Sequence, residues 1–360
     1  MLEFVPFNKI DSGQWDDFCL ISDDAWFRHS SAGIKFCLGA DSLNENLSFG
    51  IFENNKLLAV MAIVKQLIAG EKDLYELAMT GTPTPGPAFN NELSEKQKNK
   101  ILAAIFKEVD KIARDRNVAY SKFFIDPLSA GFLDKPNNYN PFLKLGCNDI
   151  SLTTNIVGLS LTEEELFKKI RDTYQDEIKS AAGSGLSVIF FDENNIDAKV
   201  FEIYKNIYFS AAGREVGNVS RWNATFQLIK QGNAVLALEK NKDGESVGGV
   251  IFFTYKNNAH YASGATIPDF KKKRGIGHLS QWEIIKYLKV HNFGHYELGW
   301  NFYPVISDKV HSQKEINISL FKSGFGGKVL PLFRGEKFFS AEYLRKKKAA
   351  LTDEYIRSYL

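Results

Sequence analysis

The chain has 360 residues, a length natural for two domains, with 44% hydrophobic, 24% charged and 13% aromatic residues and no biased segment. A net charge of +2 gives no overall basic field of the kind DNA binding draws on, so no DNA partner is expected. Three cysteines, Cys19, Cys37 and Cys147, suit neither a disulfide framework nor a zinc site; no metal and a reducing, cytoplasmic setting are expected.

The longest apolar run, residues 57–64, is too short to span a bilayer, and Met1-Leu2-Glu3-Phe4 lacks the pattern of a signal peptide. The first fifty residues read as helices and loops, with an aromatic segment around Trp26 and His29 that suits core packing or a cleft wall. Residues 48–53 predict a strand, Asn54-Asn55 a hairpin turn, and 57–67 a second, strongly apolar strand. A third strand, 73–79, runs into Thr82-Pro83-Thr84-Pro85-Gly86-Pro87, which reads as neither helix nor central strand. Ser94 with Gln97 predicts a capped helix to about residue 117, with Ile101, Ile105, Val109 and Ile112 on one face, and strand 119–125 follows. A short helix around 142–144 closes at Gly146, and 151–159 is another strand.

Near residue 160 the pattern restarts. Thr162 caps a charged helix, 163 to about 182, and strand 186–191 follows. Helical segments 198–212 and 222–230 precede strands 234–239, 248–255 and 260–264, joined by turns at Asp243-Gly244 and Asn257-Asn258. Then comes the stretch Lys271-Lys272-Lys273-Arg274-Gly275-Ile276-Gly277-His278, which opens an amphipathic helix. A glycine loop at a helix N-terminus presents unpaired N–H groups and the positive end of the helix dipole, a site for a phosphate. Strand 295–299, a short helix 316–322 with glycines after it, strand 329–333 and a basic C-terminal helix from Ala341 complete the chain.

The two passes overlay at an offset of about 180 residues: strand–turn–strand, a strand running into a special loop, a long helix, a strand, a short helix and a glycine. This predicts an α/β (α+β) chain of two tandem domains with mixed sheets: 1–159, 160–340, and a basic C-terminal helix, 341–360. The element order resembles that of a GNAT acyltransferase domain, in which the loop after the central strand cradles the pyrophosphate of acyl-coenzyme A. Lys272 to Gly277 keeps both glycines of that loop, with Lys where Gln or Arg is usual. In the first copy the same place holds prolines, which remove N–H donors, and no cations, so the donor is expected on the second domain.

The second half further resembles the FemAB family of tandem-GNAT transferases. The likeness rests on Thr162-Glu163-Glu164-Glu165-Leu166 with Ile170-Arg171-Asp172, on the helix from Gly275 to Ile285, on His295-Tyr296-Glu297-Leu298-Gly299, and on Leu320-Phe321-Lys322-Ser323-Gly324-Phe325-Gly326-Gly327. The family's best-known members move an amino acid from aminoacyl-tRNA onto a peptidoglycan precursor. The resemblance implies N-acyl or aminoacyl transfer to an amine of a cell-envelope or surface-polysaccharide precursor, with acyl-coenzyme A or aminoacyl-tRNA as donor. Aminoacyl-tRNA-dependent peptidoglycan cross-bridge synthesis and a non-catalytic tandem GNAT binding module are the alternatives. The acceptor would be a small molecule or a nucleotide- or lipid-linked glycan or peptide, placed between the domains.

Such chemistry needs positioning, an oxyanion donor and a route for one proton, but no covalent intermediate, so Cys147 is not expected to act. By the resemblance Lys322 lies at the acyl-transfer centre, and Lys272, Arg274, Gly275, Gly277 and His278 hold the donor. Arg214, Arg221, Trp222 and Trp300 are expected at the acceptor. A backbone N–H near Ser263 or Gly264 is expected as oxyanion donor. Glu297 is weighed as a base against a structural hydrogen bond, and the latter is favoured. The basic runs 271–274 and 345–348 read as solvated faces, with RNA or peripheral membrane contact as their other use.

Overall fold

The computed structural model describes residues 1–134, 139–271, 275–306 and 308–360. The chain forms two compact units. The first is Met1–Thr153 with Phe302–Ile316 and Pro331–Leu360; the second is Thr154–Asn301 with Asn317–Leu330. The contiguous division expected at residue 160 is therefore replaced by an interleaved one.

In the first unit a hairpin joins β1 (Phe49–Glu53) to β2 (Lys56–Met61), with Asn54 and Asn55 both left-handed at φ 51° and 62°, as a tight hairpin turn requires. The single strand expected over 57–67 is divided, and β3 (Val64–Leu67) joins a different sheet. Ser48 supplies the reason. Its hydroxyl donates to the Ile63 carbonyl at 3.1 Å and accepts from the Ile63 N–H at 2.9 Å, taking that peptide out of the ladder. Next come β4 (Tyr75–Met79), β5 (Thr82–Pro85), α1 (Glu95–Asp115) and β6 (Val118–Phe124). The capping box of Ser94 and Gln97 is formed, and α1 buries Ile101, Ile105 and Val109 against the sheet.

The proline segment departs from expectation, because β5 is a strand inside the sheet. Tyr75 to Leu77 pair parallel with β6, and after a tight excursion Thr84 and Pro85 resume alongside Phe123 and Phe124. The Gly86 N–H then reaches the Phe124 carbonyl at 2.8 Å. Proline and threonine alternate here, so the missing N–H groups fall on one edge of the strand while Thr82 and Thr84 keep theirs on the other.

The second unit contains β7 (Leu152–Gly158), α2 (Glu163–Lys169), α3 (Asp172–Gly183), β8 (Ser187–Phe191), α4 (Ala198–Ala212), α5 (Val219–Lys230) and β9 (Ala234–Lys240). It continues with β10 (Ser246–Tyr255), β11 (Asn258–Thr266), α6 (Ile276–Val290), β12 (His295–Asn301), α7 (Gln313–Lys322) and β13 (Lys328–Leu332). The sheet runs β8-β9-β10-β11-β12-β7-β13 and is mixed, since β11 and β12 are parallel while β8 to β11 alternate. Leu279, Ile285 and Leu288 of α6 pack on Val250, Phe252, Tyr296 and Leu298. The single helix expected over 163–182 is broken at Ile170, which is extended, and the Arg171 N–H turns instead to the Gly324 carbonyl at 2.9 Å.

The chain then returns to the first unit. There β14 (Arg334–Phe338) lies antiparallel on β6 and covers its other edge, which would otherwise be exposed. The basic helix α8 (Ala341–Tyr359) follows. Lys347 and Lys348 reach the buried Glu336 at 3.2 and 2.7 Å, and the Lys347 ammonium stands 3.8 Å from the Tyr120 ring centre. Part of the basic run is thus engaged within the chain. Among the described residues no helix is long and apolar enough to cross a membrane.

Candidate active site

The site begins with a disagreement between two strands. Parallel strands β11 and β12 pair only at residues 258–260 with 295–297, although both continue further. Where they part, β11 carries a bulge: Tyr261 faces Phe252 and Ser263 faces Ile251, leaving Ala262 as the extra residue. A bulge twists its strand and frees backbone groups from the ladder. The result is a wedge between β11 and β12. In the first unit the corresponding pair, β4 and β6, has no such opening, because β5 stays paired with β6 to its end.

Lys322, the last residue of α7, brings its ammonium to the wedge. It stands 4.6 Å from the Tyr261 ring centre, and a Cβ added to Gly299 would come within 2.6 Å of Nζ. Gly299 has φ 116°, so both its backbone and the space beside it exclude a side chain. Burial pushes the Lys322 pKa down to about 8, with the charge of Glu297 pulling the other way. A helix C-terminus and an aromatic face both favour the cation.

Glu297 is fully buried on β12. One carboxylate oxygen accepts from the Thr154 hydroxyl and the other from His260 Nδ1, both at 2.7 Å. Behind the bulge, Ser263 and Tyr204 share a hydrogen bond of 2.8 Å between their hydroxyls. A second buried carboxyl, Glu239 on β9, accepts from the Ser280 hydroxyl of α6, and burial pushes its pKa up to about 7.

Of the donor-binding expectations, Lys272 and Arg274 lie outside the described residues. Gly275 is the N-cap of α6 at φ 88°; a Cβ there would run into the Glu177 carbonyl of α3 and within 3.0 Å of Ala181 Cβ. Its place is set by helix packing as well as by the turn. Among the described residues Gly277 is more open, with Phe321 Cζ at 3.4 Å from an added Cβ. The His278 ring stands edge-on to Tyr174 and Phe321, at 4.3 and 5.0 Å between centres, and burial lowers its pKa. It belongs to an aromatic cluster at the start of α6.

Of the acceptor-binding expectations, Arg214 and Arg221 are exposed, and no ion pair joins them to the wedge among the described residues. Trp222 is half-buried: its indole N–H donates to the Val216 carbonyl at 2.8 Å and holds the loop between α4 and α5. Its ring lies 6.4 Å from that of Tyr204, which links it to Ser263. Trp300 is half-buried beside Gly299, and its carbonyl accepts from Ser319 at 3.3 Å. Cys147 is buried in the first unit and its thiol is pushed up to about 12, which keeps it protonated. Trp26 is fully buried there, and His29 Nε2 is 2.7 Å from the Gly86 carbonyl oxygen.

Sequence reading missed His260, Thr154, Tyr204 and the Glu239–Ser280 pair. The alternation along β11 and β12 gave a signal for the first of these, since it places polar residues where two parallel strands meet.

No protein-family model and no curated protein matches this sequence. Among solved structures the chain is similar to FemX, with a TM-score of 0.65 at 12% identity over 96% of this chain and 99% of that one. It is similar to the C-terminal domain of a putative lysylphosphatidylglycerol synthetase from Agrobacterium fabrum, with a TM-score of 0.58 at 13% identity over 95% and 98% of the two chains. A tandem GNAT protein from the clavulanic acid biosynthesis pathway gives 0.56 at 12% identity over 94% and 99%. The chain has a FemAB-like tandem GNAT fold. In this tandem the wedge between β11 and β12, with Lys322 at its mouth, belongs to the second unit. Among the described residues no group of His, Cys, Asp or Glu could hold a metal ion.

Proposed function

We propose that the second unit transfers an acyl or aminoacyl group from an activated carrier to an amine of a cell-envelope or surface-polysaccharide precursor. The observation that carries this reading is the Lys322 ammonium standing over the Tyr261 ring at the open wedge of two parallel strands. A carbonyl lodged in the wedge would lie between freed backbone N–H groups of the bulge, near Ser263 and Gly264, and the lysine. Attack by a neutral amine puts negative charge on the carbonyl oxygen, and a fixed cation and N–H donors stabilise that charge without reorganising. The donor's phosphate would rest on the N-terminal turn of α6 at Gly275 and Gly277, with Lys272 and Arg274 of the preceding loop. The acceptor would meet Arg214, Arg221, Trp222 and Trp300. The first unit, its own opening closed by β5, supports a single donor site.

Two donors fit, acyl-coenzyme A and aminoacyl-tRNA. The protein is incubated with each and with hydroxylamine as a surrogate amine, and hydroxamate formation is measured above background. Product with acyl-coenzyme A alone assigns a thioester donor; product that disappears on RNase treatment assigns aminoacyl-tRNA. Lys322→Ala should lower the rate about 100-fold. Hydroxamate from neither donor, or an undiminished rate in Lys322→Ala, would overturn the reading in favour of a binding module.

A further inference from the structure

We infer that the Tyr261 hydroxyl is a further catalytic group, donating a hydrogen bond to the carbonyl oxygen of the acyl donor beside the Gly264 N–H. This rests on the transfer reading above and deepens it by one side chain, while Lys322 stays a fixed cation.

Along β11, bonded and non-bonded pairs with β10 alternate. The Ile267 N–H reaches the Val247 carbonyl at 3.0 Å, which makes that pair a bonded one. Counting back along the register, Ala265 with Gly249 and Ser263 with Ile251 are bonded pairs, and Gly264 with Val250 is not. The Gly264 N–H therefore points away from β10, to the side where β12 has parted from β11. Gly264 is exposed and has no side chain to cover that edge.

Tyr261 takes the space that such a side chain would fill. Phe252 and Val250 stand two apart on β10 and share a face; across the bulge so do their partners, Tyr261 and Gly264, which stand three apart. A Cβ on Gly264 would come within 2.4 Å of the Tyr261 hydroxyl oxygen and 3.3 Å of Cζ. The bulge thus brings a phenol hydroxyl beside the N–H that faces the wedge. Two neighbouring tyrosines have partners: Tyr204 bonds Ser263, and Tyr296 donates to Gln281 at 2.9 Å. Among the described residues no hydrogen bond takes up the Tyr261 hydroxyl. Burial holds it well above its ordinary range, so it stays protonated and able to donate. The Lys322 ammonium, 4.6 Å from the ring centre, draws electron density from the phenol and strengthens the O–H as a donor.

In the transfer the amine nitrogen attacks the carbonyl carbon, the C–N bond forms and the carbonyl π pair moves onto oxygen. That pair returns as the bond to the leaving sulfur or oxygen breaks. The amine sheds one proton to solvent and the leaving atom takes one from it. Tyr261 and the Gly264 N–H hold the charged oxygen in between and keep their own protons.

The test compares wild type, Tyr261→Phe, Gly264→Ala, the double variant and Lys322→Ala in the hydroxamate assay. Tyr261→Phe keeps the ring under Lys322 and removes only the hydroxyl; it should lower kcat about 100-fold with KM little changed. Gly264→Ala drives a methyl group into the hydroxyl and should also slow turnover. Added to Tyr261→Phe, where the oxygen is gone, it should cost no more than about twofold. A measurement without turnover accompanies these. Whichever of acetyl-coenzyme A and alanyl-tRNA gives hydroxamate is isotope-labelled at its carbonyl carbon and bound to the protein. Its infrared carbonyl stretch should lie lower in wild type than in Tyr261→Phe. If Lys322→Ala is slow while Tyr261→Phe keeps the wild-type kcat, or lowers it with the stretch unmoved, the hydroxyl does not hold the oxygen and the transfer site stands. If neither donor gives hydroxamate, or Lys322→Ala is fully active, both fall.

Discussion

At the residue scale the proposed transfer turns on one cation held where burial works against it. Lys322 is protonated below about pH 8, and above that value its neutral form takes over. If the transfer needs the cation, the rate should fall as pH rises through about 8, a limb read directly from a kcat profile. Glu239 gives a prediction of the opposite kind. Its folded pKa of about 7 exceeds the ordinary carboxyl value of 4.5, so the folded state binds the proton more tightly than the unfolded one. The stability this contributes is fully present below pH 4.5 and is lost as pH rises through 7. Glu239→Gln should therefore raise the midpoint of thermal unfolding at pH 8, by about 1–3 kcal/mol of stability, and leave it nearly unchanged at pH 4.5. The candidacy of Lys322 was legible in the sequence because it sits in a recognisable run, Leu320-Phe321-Lys322. Glu239 and Ser280 were not, because nothing in a chain separation of 41 residues says that strand and helix will bring a carboxyl and a hydroxyl together.

At the scale of elements, glycines and one bulge do most of the placing. Gly275 lets α6 start against the backbone of α3. Gly275→Ala would meet both a left-handed φ and the Glu177 carbonyl, and should cost about 1–3 kcal/mol in denaturant unfolding. A gain in stability would refute that packing. The long helices α1 and α6 were legible from capping residues and apolar spacing, because those signals are local. The interruption at Ile170 was not, since the Arg171 N–H is drawn off by a carbonyl more than 150 residues away. Residues 82–85 were misread for a related reason. Proline counts against a central strand only if the edge its nitrogen faces needs an N–H there, and whether it does depends on the neighbour. The wedge itself follows from the bulge at Ala262, which no residue type announces.

At the scale of the whole molecule, the first unit is completed by the end of the chain. Lys347 and Lys348 on α8 neutralise Glu336, which has no exposed surface, and α8 covers the Tyr120 ring. Removing residues 341–360 would leave that carboxylate buried without its lysines, and calorimetry of the truncated protein should show a loss of about 3–5 kcal/mol. An unchanged melting profile would mean that the clamp contributes nothing.

The sequence by itself determined the alternation of strands and helices, their repetition at a fixed offset, the likeness to a tandem GNAT chain and the candidacy of Lys322. These follow from periodicity, caps and motifs, which are properties of neighbouring residues. Only the tertiary structure decided that residues 302–316 and 331–360 belong with the first unit, that β5 closes one opening while β11 and β12 leave the other wide, and that Glu297 meets Thr154 and His260. Strand partners and buried charges are chosen by satisfying backbone groups and carboxylates across long separations, and that choice is made only when the chain has folded.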